Sequence, residues 1–268
     1  MMKLPIIGAD NSKSGFADLP AQFSEVVDSG LIRRAVLAIQ ANRRQPYGAS
    51  PGAGKRQSAK LSRRRRNYKG SYGMGISRVP RKTMSRRGRR FVWQGAFAPG
   101  TVGGRRAHPP KAEKVWAVKI NRKENRKAIR SALAATLSRD LVTARGHMPP
   151  DTYPFVLAGQ FEDISRTKDV HKALLALGFS GELERAHERS IRAGKGRMRG
   201  RKYVRKTGPL LVVSKKCSLM KSARNLGVDI VEVSRLNAEL LAPGASPGRM
   251  AVFTDGAMAR IGREGLFG

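Results

Sequence analysis

The side chains best suited to chemistry in this sequence are its arginines and lysines, and their spacing suits the binding of phosphate. Residues 29–112 contain 22 Lys or Arg and no Asp or Glu, and the chain as a whole carries a formal charge of +35. Arg63, Arg64, Arg65 and Arg66 form an unbroken run. Charge of one sign repels itself and opposes compaction. We therefore expect a polyanion to neutralise this segment, and a nucleic acid is the obvious one because its phosphates release counterions on binding.

A second basic cluster lies at residues 185–206, where ten Lys or Arg stand against Glu188 alone. It leads directly into the apolar run LLVV at 210–213, so we expect it to be tethered to a folded body. Gly194, Gly196 and Gly200 give its backbone turns between the charges. Phosphate contacts are the interpretation we favour. A solvated charged face is the alternative, and composition leaves it open.

Aromatic residues support the nucleic-acid interpretation. Six of the 16 aromatic residues lie within 45–110, a segment too rich in Gly and Pro to build a core of its own: Tyr47, Tyr68, Tyr72, Phe91, Trp93 and Phe97. Stacking on unpaired bases explains them, and looped or single-stranded RNA offers such bases where duplex DNA does not. A small local cluster of Phe91, Trp93 and Phe97 is the alternative, and both can hold together.

Motifs that would indicate an enzyme are incomplete. Residues 49–55 (ASPGAGK) imitate a phosphate-binding loop, but Arg56 replaces the Ser or Thr that would hold magnesium and no strand precedes it. The glycines of 194–200 (GKGRMRG) depart from the dinucleotide-binding spacing and follow a predicted helix. We expect flexible RNA-facing backbone in the first case and no cofactor in either.

Isolated titratable residues do not form a catalytic group. His108, His147, His171 and His187 lack metal-ligand spacing, so we expect surface histidines and no metal. Lys215 and Lys216 could lower the pKa of the Cys217 thiol and make it reactive. The interpretation we favour is that Cys217 is a small, unreactive residue at the end of a strand. Glu162 and Asp163 have no nucleophile or base beside them, and we expect them to restrain nearby Arg side chains. The sequence therefore predicts no catalytic residue.

The elements that must position the basic clusters alternate between strand and helix. Strands are predicted at 153–158, 210–214, 228–233 and 249–254. Helices are predicted at 31–44, from Asn121 to about Leu141, at 167–177 before Gly178, and at 182–193, 219–226, 235–241 and 256–263. Asp28 or Ser29 can cap the first helix, and Asn121 with Glu124 suggests a capping box. This alternation predicts an α/β fold with three layers, a mainly parallel sheet flanked by helices.

The domain organisation follows from the Gly- and Pro-rich segment. Residues 1–44 and 111–268 are predicted to form the globular α/β body, and 45–110 a long, basic, irregular loop inserted into it. One cysteine excludes an intramolecular disulfide and suits a reducing compartment. The apolar runs are too short for a signal sequence or a membrane span, so we expect a soluble, intracellular protein with no membrane partner.

Several motifs resemble one known family, the L-four family of large-subunit ribosomal proteins in its archaeal form. The resemblance is carried by 31–36 (LIRRAV), 53–56 (AGKR), 75–80 (GISRVP), 191–199 (IRAGKGRMR), 202–206 (KYVRK) and 222–226 (SARNL). It covers nearly the whole chain. The sequence ends soon after the predicted α/β body without a long basic extension, and this favours the archaeal form over the eukaryotic one.

The resemblance implies a structural constituent of the large ribosomal subunit in the cytoplasm, with its body on the solvent side and its loop lining the polypeptide exit tunnel. The implied partners are large-subunit rRNA, neighbouring ribosomal proteins and the nascent polypeptide, with no cofactor and no homo-oligomer. The tunnel-lining residues implied by the loop motifs are Tyr72, Gly73, Met74, Gly75 and Arg78. The residues expected to bind rRNA are Arg43, Arg44, Lys55, Arg56, Lys60, Arg63, Arg64, Arg65, Arg66, Lys69, Arg78, Arg81, Lys82, Arg86, Arg87, Arg89, Arg90, Trp93, Arg105, Arg106, Arg192, Lys195, Arg197, Arg199, Arg201, Lys202, Arg205 and Lys206.

Two other classes of protein share part of this pattern. A free RNA chaperone would share the charge but would not need a globular domain fused to one very long loop. An RNA-modifying enzyme on a similar sheet would need a glycine turn after a strand to hold its cofactor. Co-sedimentation with large ribosomal subunits at high salt separates these classes from a ribosomal protein.

Overall fold

The computed structural model describes residues 3–88 and 90–268. The chain divides into two compact units, which we name by composition. The body comprises Met1–Arg43 and Ala117–Gly268, and the basic unit comprises Arg44–Trp116.

The body holds eight helices and eight strands among the described residues, and the basic unit holds strands β3 and β4. The strands are β1 Lys3–Ile7, β2 Lys13–Asp18, β3 Arg81–Arg87, β4 Arg90–Gly95, β5 Val156–Leu157, β6 Arg189–Ile191, β7 Tyr203–Arg205, β8 Leu210–Val213, β9 Asp229–Glu232 and β10 Ala251–Thr254. The helices are α1 Ser29–Arg43, α2 Arg122–Leu137, α3 Arg139–Ala144, α4 Thr167–Ala176, α5 Ser180–His187, α6 Leu219–Ser222, α7 Ala238–Leu241 and α8 Asp255–Arg263.

Six strands of the body form one mixed sheet in the order β2-β1-β5-β10-β8-β9. The β1–β2 pair is antiparallel, and the other four pairs are parallel. The α/β class predicted from the alternation of elements is confirmed, and the sheet is mainly parallel. The prediction missed β1 and β2, because KLPII and KSGFAD carry Lys, Pro, Gly and Asp, which are uncommon in strands.

Both faces of the sheet are covered by helices. Successive residues of a strand point to opposite faces, and β8 places Leu210 and Val212 in one core and Leu211 and Val213 in the other. The first core is closed by α1, α2, α7 and α8, and the second by α3, α4, α5 and α6. Because both faces are buried, β8 is apolar at every position.

Helix ends account for most differences between predicted and observed boundaries. Asp28 caps α1 by accepting a hydrogen bond from Leu31 N–H at 3.0 Å. The capping box predicted at Asn121 is wrong: across the described chain its side chain makes no cap hydrogen bond, and Glu124 instead pairs with Arg34 at 3.3 Å. The helix predicted to continue to Leu141 ends at Leu137, because Ser138 leaves helical geometry and caps α3.

The left-handed turn predicted at Gly178 is confirmed, with φ +83°. Gly178 N–H donates to Leu175 C=O, and Phe179 N–H donates to Leu174 C=O at 3.1 Å. This pair of bonds is the Schellman arrangement that ends a helix. The end of α4 is therefore set by one residue that the sequence makes visible.

Four predicted elements are wrong in length or type. The helix predicted at 219–226 is α-helical only over Leu219–Ser222, and the helix predicted at 235–241 only over Ala238–Leu241. The strand predicted at 153–158 enters the sheet only at Val156–Leu157. The helix predicted at 182–193 ends at His187, and Arg189–Ile191 forms β6 instead. Strand β6 is held by hydrogen bonds to β7, which comes later in the chain. The helical periodicity of 182–193 carries no information about this pairing.

Candidate nucleic-acid interface

The basic unit contains two antiparallel strands, so the prediction of a wholly irregular segment at 45–110 is wrong for Arg81–Arg87 and Arg90–Gly95. Phe91 and Trp93 share one face of β4, and Arg90, Val92 and Gln94 lie exposed on the other. The β3 register shifts between Thr83 and Ser85, which leaves Met84 as a β-bulge. The alternation in β4 is short and is bounded by Gly88 and Gly95, so it does not stand out in the sequence.

Aromatic rings gather on one face of this hairpin. The Tyr68 and Phe91 ring centroids lie 5.2 Å apart edge to face, and those of Phe91 and Trp93 lie 5.8 Å apart and stacked. A local cluster of Phe91 and Trp93 is confirmed. Its predicted third member is wrong, because Tyr68 occupies that place and Phe97 lies beside Arg105 at 5.6 Å.

Cationic side chains lie over these rings. The Cζ of Arg86 lies 5.7 Å from the Tyr68 ring centroid and 5.6 Å from that of Phe91. The Cζ of Arg81 lies 5.7 Å from the Trp93 centroid. Arg86 and the three rings, together with Lys69 and Arg66, line an open cavity of about 400 Å³. A surface with aromatic faces and cations side by side offers both stacking and phosphate contacts.

The Arg63–Arg66 run is exposed throughout, and so is most of the predicted tunnel-lining segment. Tyr72 is 42% exposed and Met74 is 61% exposed. Gly73 and Gly75 have φ of +77° and +66°, a conformation that other residues rarely adopt. Arg78 lies over the Tyr72 ring, with 5.5 Å between Cζ and the ring centroid. These residues form an exposed turn whose backbone needs its glycines.

The basic unit has too few carboxylates of its own to neutralise its positive charge. Its sequence holds 20 Lys or Arg and a single carboxylate, Glu113. Across residues 3–88 and 90–268, every ion pair within 4.0 Å joins residues of the body. The cations of the basic unit are therefore available to an external anion.

The second basic cluster is a hairpin on the body, and we call residues 189–206 the basic hairpin. Strands β6 and β7 pair antiparallel and are exposed at every position. A single 3-10 turn at Arg197–Arg199 forms the tip, and Gly194 and Gly200 reverse the chain with φ of +75° and +77°. Arg197, Arg199 and Arg201 thus project from a short, defined turn.

The base of the basic hairpin is held by a buried ionic group. Glu182 is fully buried and accepts hydrogen bonds from Arg185 Nε at 2.8 Å and from Met148 N–H at 3.0 Å. His147 Nδ1 lies 2.7 Å from the same carboxylate. Burial opposes ionisation of Glu182, but the bonds from Arg185, His147 and Met148 outweigh it and hold its pKa below the usual value. Arg185 also donates to Thr207 C=O at 2.6 Å, directly after the hairpin.

A second buried arginine holds the adjoining backbone. Arg249 is 1% exposed and donates from Nε and Nη2 to Gly208 C=O, at 3.1 and 2.9 Å. A side chain on Gly208 would place its Cβ 1.9 Å from Gly227 C=O, so only glycine fits there. The return strand of the basic hairpin therefore enters β8 from a rigid base.

Comparison with known proteins identifies the family of this chain. Residues 17–264 match the model of the Ribosomal protein L4/L1 family. The chain belongs to this family. It is a ribosomal protein of the archaeal type, and not an enzyme.

Archaeal relatives match the chain over nearly its full length. It is 49% identical to "Large ribosomal subunit protein uL4" of Nanoarchaeum equitans, covering 99% of this chain and 100% of the relative. It is 44% identical to the protein of that name from Archaeoglobus fulgidus, covering 97% and 98%. It is 43% identical to the one from Halobacterium salinarum, covering 98% and 100%.

The predicted rRNA-binding residues fall into two groups. Those of 44–106 lie in the basic unit and those of 192–206 in the basic hairpin. Arg43 instead ends α1 and pairs with Glu239 at 2.7 Å, and Lys206 pairs with Glu188 at 2.7 Å. Arg89 lies outside the described residues. RNA contact by each residue stays a prediction.

Aromatic residues outside the predicted list accompany these cations. Trp116 stacks on Tyr47 with a centroid distance of 6.0 Å, and Lys202 lies 5.3 Å from the Tyr203 ring centroid. Trp116 is one of only two tryptophans and follows Lys114, so an exposed-aromatic criterion extended past Pro110 would have found it. The sequence prediction places this segment in the body, because it follows the last Gly–Pro stretch of the predicted loop.

The isolated titratable residues serve the fold. The prediction of surface histidines holds for His108, His171 and His187 but is wrong for His147, which is 4% exposed beside Glu182. Burial raises the pKa of the Cys217 thiol, so it is not an activated nucleophile. Among the side chains that the structure describes, Glu162 pairs with no arginine. It accepts from Ser214 Oγ at 2.7 Å and Thr254 Oγ1 at 2.5 Å.

Within the described residues, His, Cys, Asp and Glu form no group of three that could hold a metal ion. Over the same part of the chain, none of the helices combines the length and the apolar character that crossing a bilayer requires. Residues 51–55 form turns, and residues 44–50, which lie directly before them, contain no strand.

Proposed function

We propose that this chain is a structural constituent of the large ribosomal subunit that binds large-subunit rRNA and supports subunit assembly and translation. The observation that carries this proposal is the basic unit, with 20 Lys or Arg and one carboxylate. Such an excess of cations suits the phosphate backbone of a large RNA. The proposed location is the cytoplasmic ribosome, with neighbouring ribosomal proteins as further partners.

The basic hairpin and the basic unit have different roles in this proposal. The basic hairpin anchors the body to rRNA, because the Glu182–Arg185 pair and Arg249 hold its base rigidly. The basic unit, including the predicted extended loop at 45–110, makes the larger set of rRNA contacts. The exposed turn at Tyr72–Gly75, with Arg78, lines the exit tunnel and meets the nascent polypeptide. The body faces the solvent side.

The salt dependence of binding tests the electrostatic part. If about eight to ten phosphates are neutralised, affinity for a cognate rRNA fragment falls by roughly three to five decades between 50 and 200 mM salt. A shallow salt response would show that the charge is not the main determinant of binding.

Sedimentation separates the ribosomal role from free RNA binding. The full chain, expressed with a tag in an archaeal host, should co-sediment with large subunits through a high-salt sucrose gradient. Recovery only in the light RNA fractions would favour the chaperone alternative and contradict the proposal.

A further inference from the structure

The two ends of the basic unit meet at an aromatic pair. The rings of Tyr47 and Trp116 stack with their centroids 6.0 Å apart and their planes 19° apart. The backbone holds this junction together, since Ala49 N–H donates to Pro110 C=O at 2.9 Å. Gly48 leaves no room for a side chain, because a Cβ there would lie 2.4 Å from Ala112 N. The aromatic pair is therefore set in position before any ligand binds.

Cations surround the pair. The Cζ of Arg44 lies 3.7 Å from the Trp116 ring centroid and 5.7 Å from that of Tyr47. The Nζ of Lys114 lies 4.2 Å from the Trp116 centroid. Arg44 and Lys114 are both exposed, and within the described residues neither forms an ion pair. The charge at the junction is open to an anion.

A cavity of about 560 Å³ opens beside these rings. Tyr47 and Trp116 supply aromatic surface, and Arg106, Lys111 and Lys114 supply positive charge. Glu113 is the one carboxylate among its lining residues. Tyr47 is 51% exposed, so part of its ring remains free for a further stacking partner. The cavity combines a flat apolar surface with cations at its edge.

The indole of Trp116 adds a polar feature. Its Nε1–H is buried and has no hydrogen-bond acceptor within residues 3–88 and 90–268. A buried donor without an acceptor is costly. A nucleotide carries acceptors on its base, its ribose and its phosphate.

We propose that this cavity, which we call the junction pocket, binds one unpaired nucleotide of an RNA. The base stacks on the exposed part of Tyr47 beside Trp116, and the phosphate lies among Arg106, Lys111 and Lys114. A base inside a duplex has both faces covered by its neighbours, whereas an unpaired base offers them for stacking. The inference rests on the proposed function and adds the kind of RNA element that one place on the basic unit recognises.

The test compares two RNAs bound by the full-length protein at one fixed salt concentration. One is an uninterrupted stem-loop, and the other is the same stem-loop with a single-nucleotide bulge, prepared with A, C, G or U in the bulge. The wild-type protein should prefer at least one bulged RNA by about ten-fold or more. Tyr47→Ala and Trp116→Leu should abolish this preference and leave affinity for the uninterrupted stem unchanged, because neither substitution alters the charge.

Matched controls separate stacking from folding. Tyr47→Phe and Trp116→Phe keep an aromatic face and should keep the preference. Tyr72→Ala removes another exposed ring of the basic unit, 42% exposed against 51% for Tyr47, and should also keep the preference. If Tyr47→Ala and Trp116→Leu retain the wild-type ratio of affinities, the junction pocket does not read an unpaired base and the proposal is overturned.

The outcomes distinguish this proposal from the one on which it rests. Tight, salt-dependent binding of both RNAs with no preference for any bulge would overturn the junction pocket and leave the proposed function standing. Failure to bind either RNA would overturn both. A last experiment titrates the protein with free nucleoside monophosphates. Binding is measured by the fluorescence of Trp116 in the Trp93→Phe protein. Saturable quenching by them without a bulge preference would indicate a free-nucleotide site and overturn the RNA assignment.

Discussion

Arg81 and Arg86 lie on the same face of the β3–β4 hairpin, although residues five apart in a regular strand point to opposite faces. Arg81 lies over Trp93 and Arg86 over Phe91, and both rings lie on one side of β4. The cause is the bulge at Met84, which pairs with no residue of β4 and shifts the alternation by one. Because Met84 is accommodated as a bulge, both guanidinium groups lie at the aromatic surface.

Exchanging Ser85 and Arg86 should separate these two groups. Ser85 pairs with Val92 on the opposite face, so Ser85→Arg combined with Arg86→Ser moves one guanidinium there at unchanged net charge, and one cation–π group is lost from the aromatic surface. We expect RNA affinity to fall about five-fold, which corresponds to a loss of about 1 kcal/mol. Met84→Ala keeps the bulge and its register and should bind as the wild type does, since Met84 is 63% exposed. Equal affinity of the exchange variant and the wild type would refute a role for the shared face.

Replacing Arg197, Arg199 and Arg201 together by Ala should weaken RNA binding without unfolding the body. All three are exposed on the basic hairpin, and each lost phosphate contact should reduce the salt slope by roughly 0.7 to 0.9. Affinity and slope are measured by titration at several salt concentrations, and folding by circular dichroism.

The matched control for that variant removes Arg166, Lys168 and Lys172, which are exposed at and near α4. It carries the same net charge as the hairpin variant. If both variants lose affinity equally, the effect arises from net charge and not from the basic hairpin.

Glu182→Gln should destabilise the body by about 3 kcal/mol, because it leaves Arg185 in a buried site without its carboxylate. The substitution keeps the side-chain shape, and urea unfolding of the full chain measures the loss. Glu184→Gln is the control, since Glu184 is exposed on the same helix. A loss no larger than that of the control would show that the buried pair contributes little.

The pH dependence of the stability of Glu182→Gln tests whether the ionised Glu182 carboxylate is what stabilises the body. The pKa of Glu182 is depressed in the folded protein, so its contribution to stability is present above the unfolded-state value of about 4.3. That contribution is lost as the pH falls from there through the lower folded-state pKa. The wild type should lose more stability than Glu182→Gln over this acidic range. Parallel pH profiles would contradict the assignment.

Replacing Tyr72–Gly75 by Gly-Ser-Gly-Ser should leave the protein able to enter subunits and change events in the exit tunnel. The segment is an exposed turn outside the β3–β4 hairpin, so its loss removes side chains without removing a strand. We expect altered stalling of nascent chains and altered sensitivity to drugs that bind the tunnel, measured with ribosomes carrying the variant. Unchanged stalling and drug response in assembled subunits would show that this turn does not face the tunnel.

Much of the body could be predicted from local pattern alone. The run LLVV at β8 and the apolar stripe of α1 express burial directly in the sequence, because a residue facing a core must be apolar. Gly178 marks the end of α4 since a left-handed residue is needed there. The basic character of both candidate RNA-binding groups is likewise a property of composition.

Pairing between distant parts of the chain could not be predicted in this way. The basic hairpin exists because 189–191 meet 203–205, and helical periodicity gave no hint of that contact. His147 is buried beside Glu182, which lies 35 residues later in the chain. Strand β1 has little strand propensity and is held by β2 and β5 on its two sides.

The sequence by itself determined the charge, the α/β class and the segments that carry the cations, because each depends on residue type and local spacing. Only the tertiary structure decided which cations meet which aromatic rings. The bulge at Met84 sets the face of Arg86, and Tyr47 meets Trp116 only when the two ends of the basic unit come together. The physical reason is that stacking and charge act over a few ångströms, and chain folding brings together groups that sequence distance keeps apart.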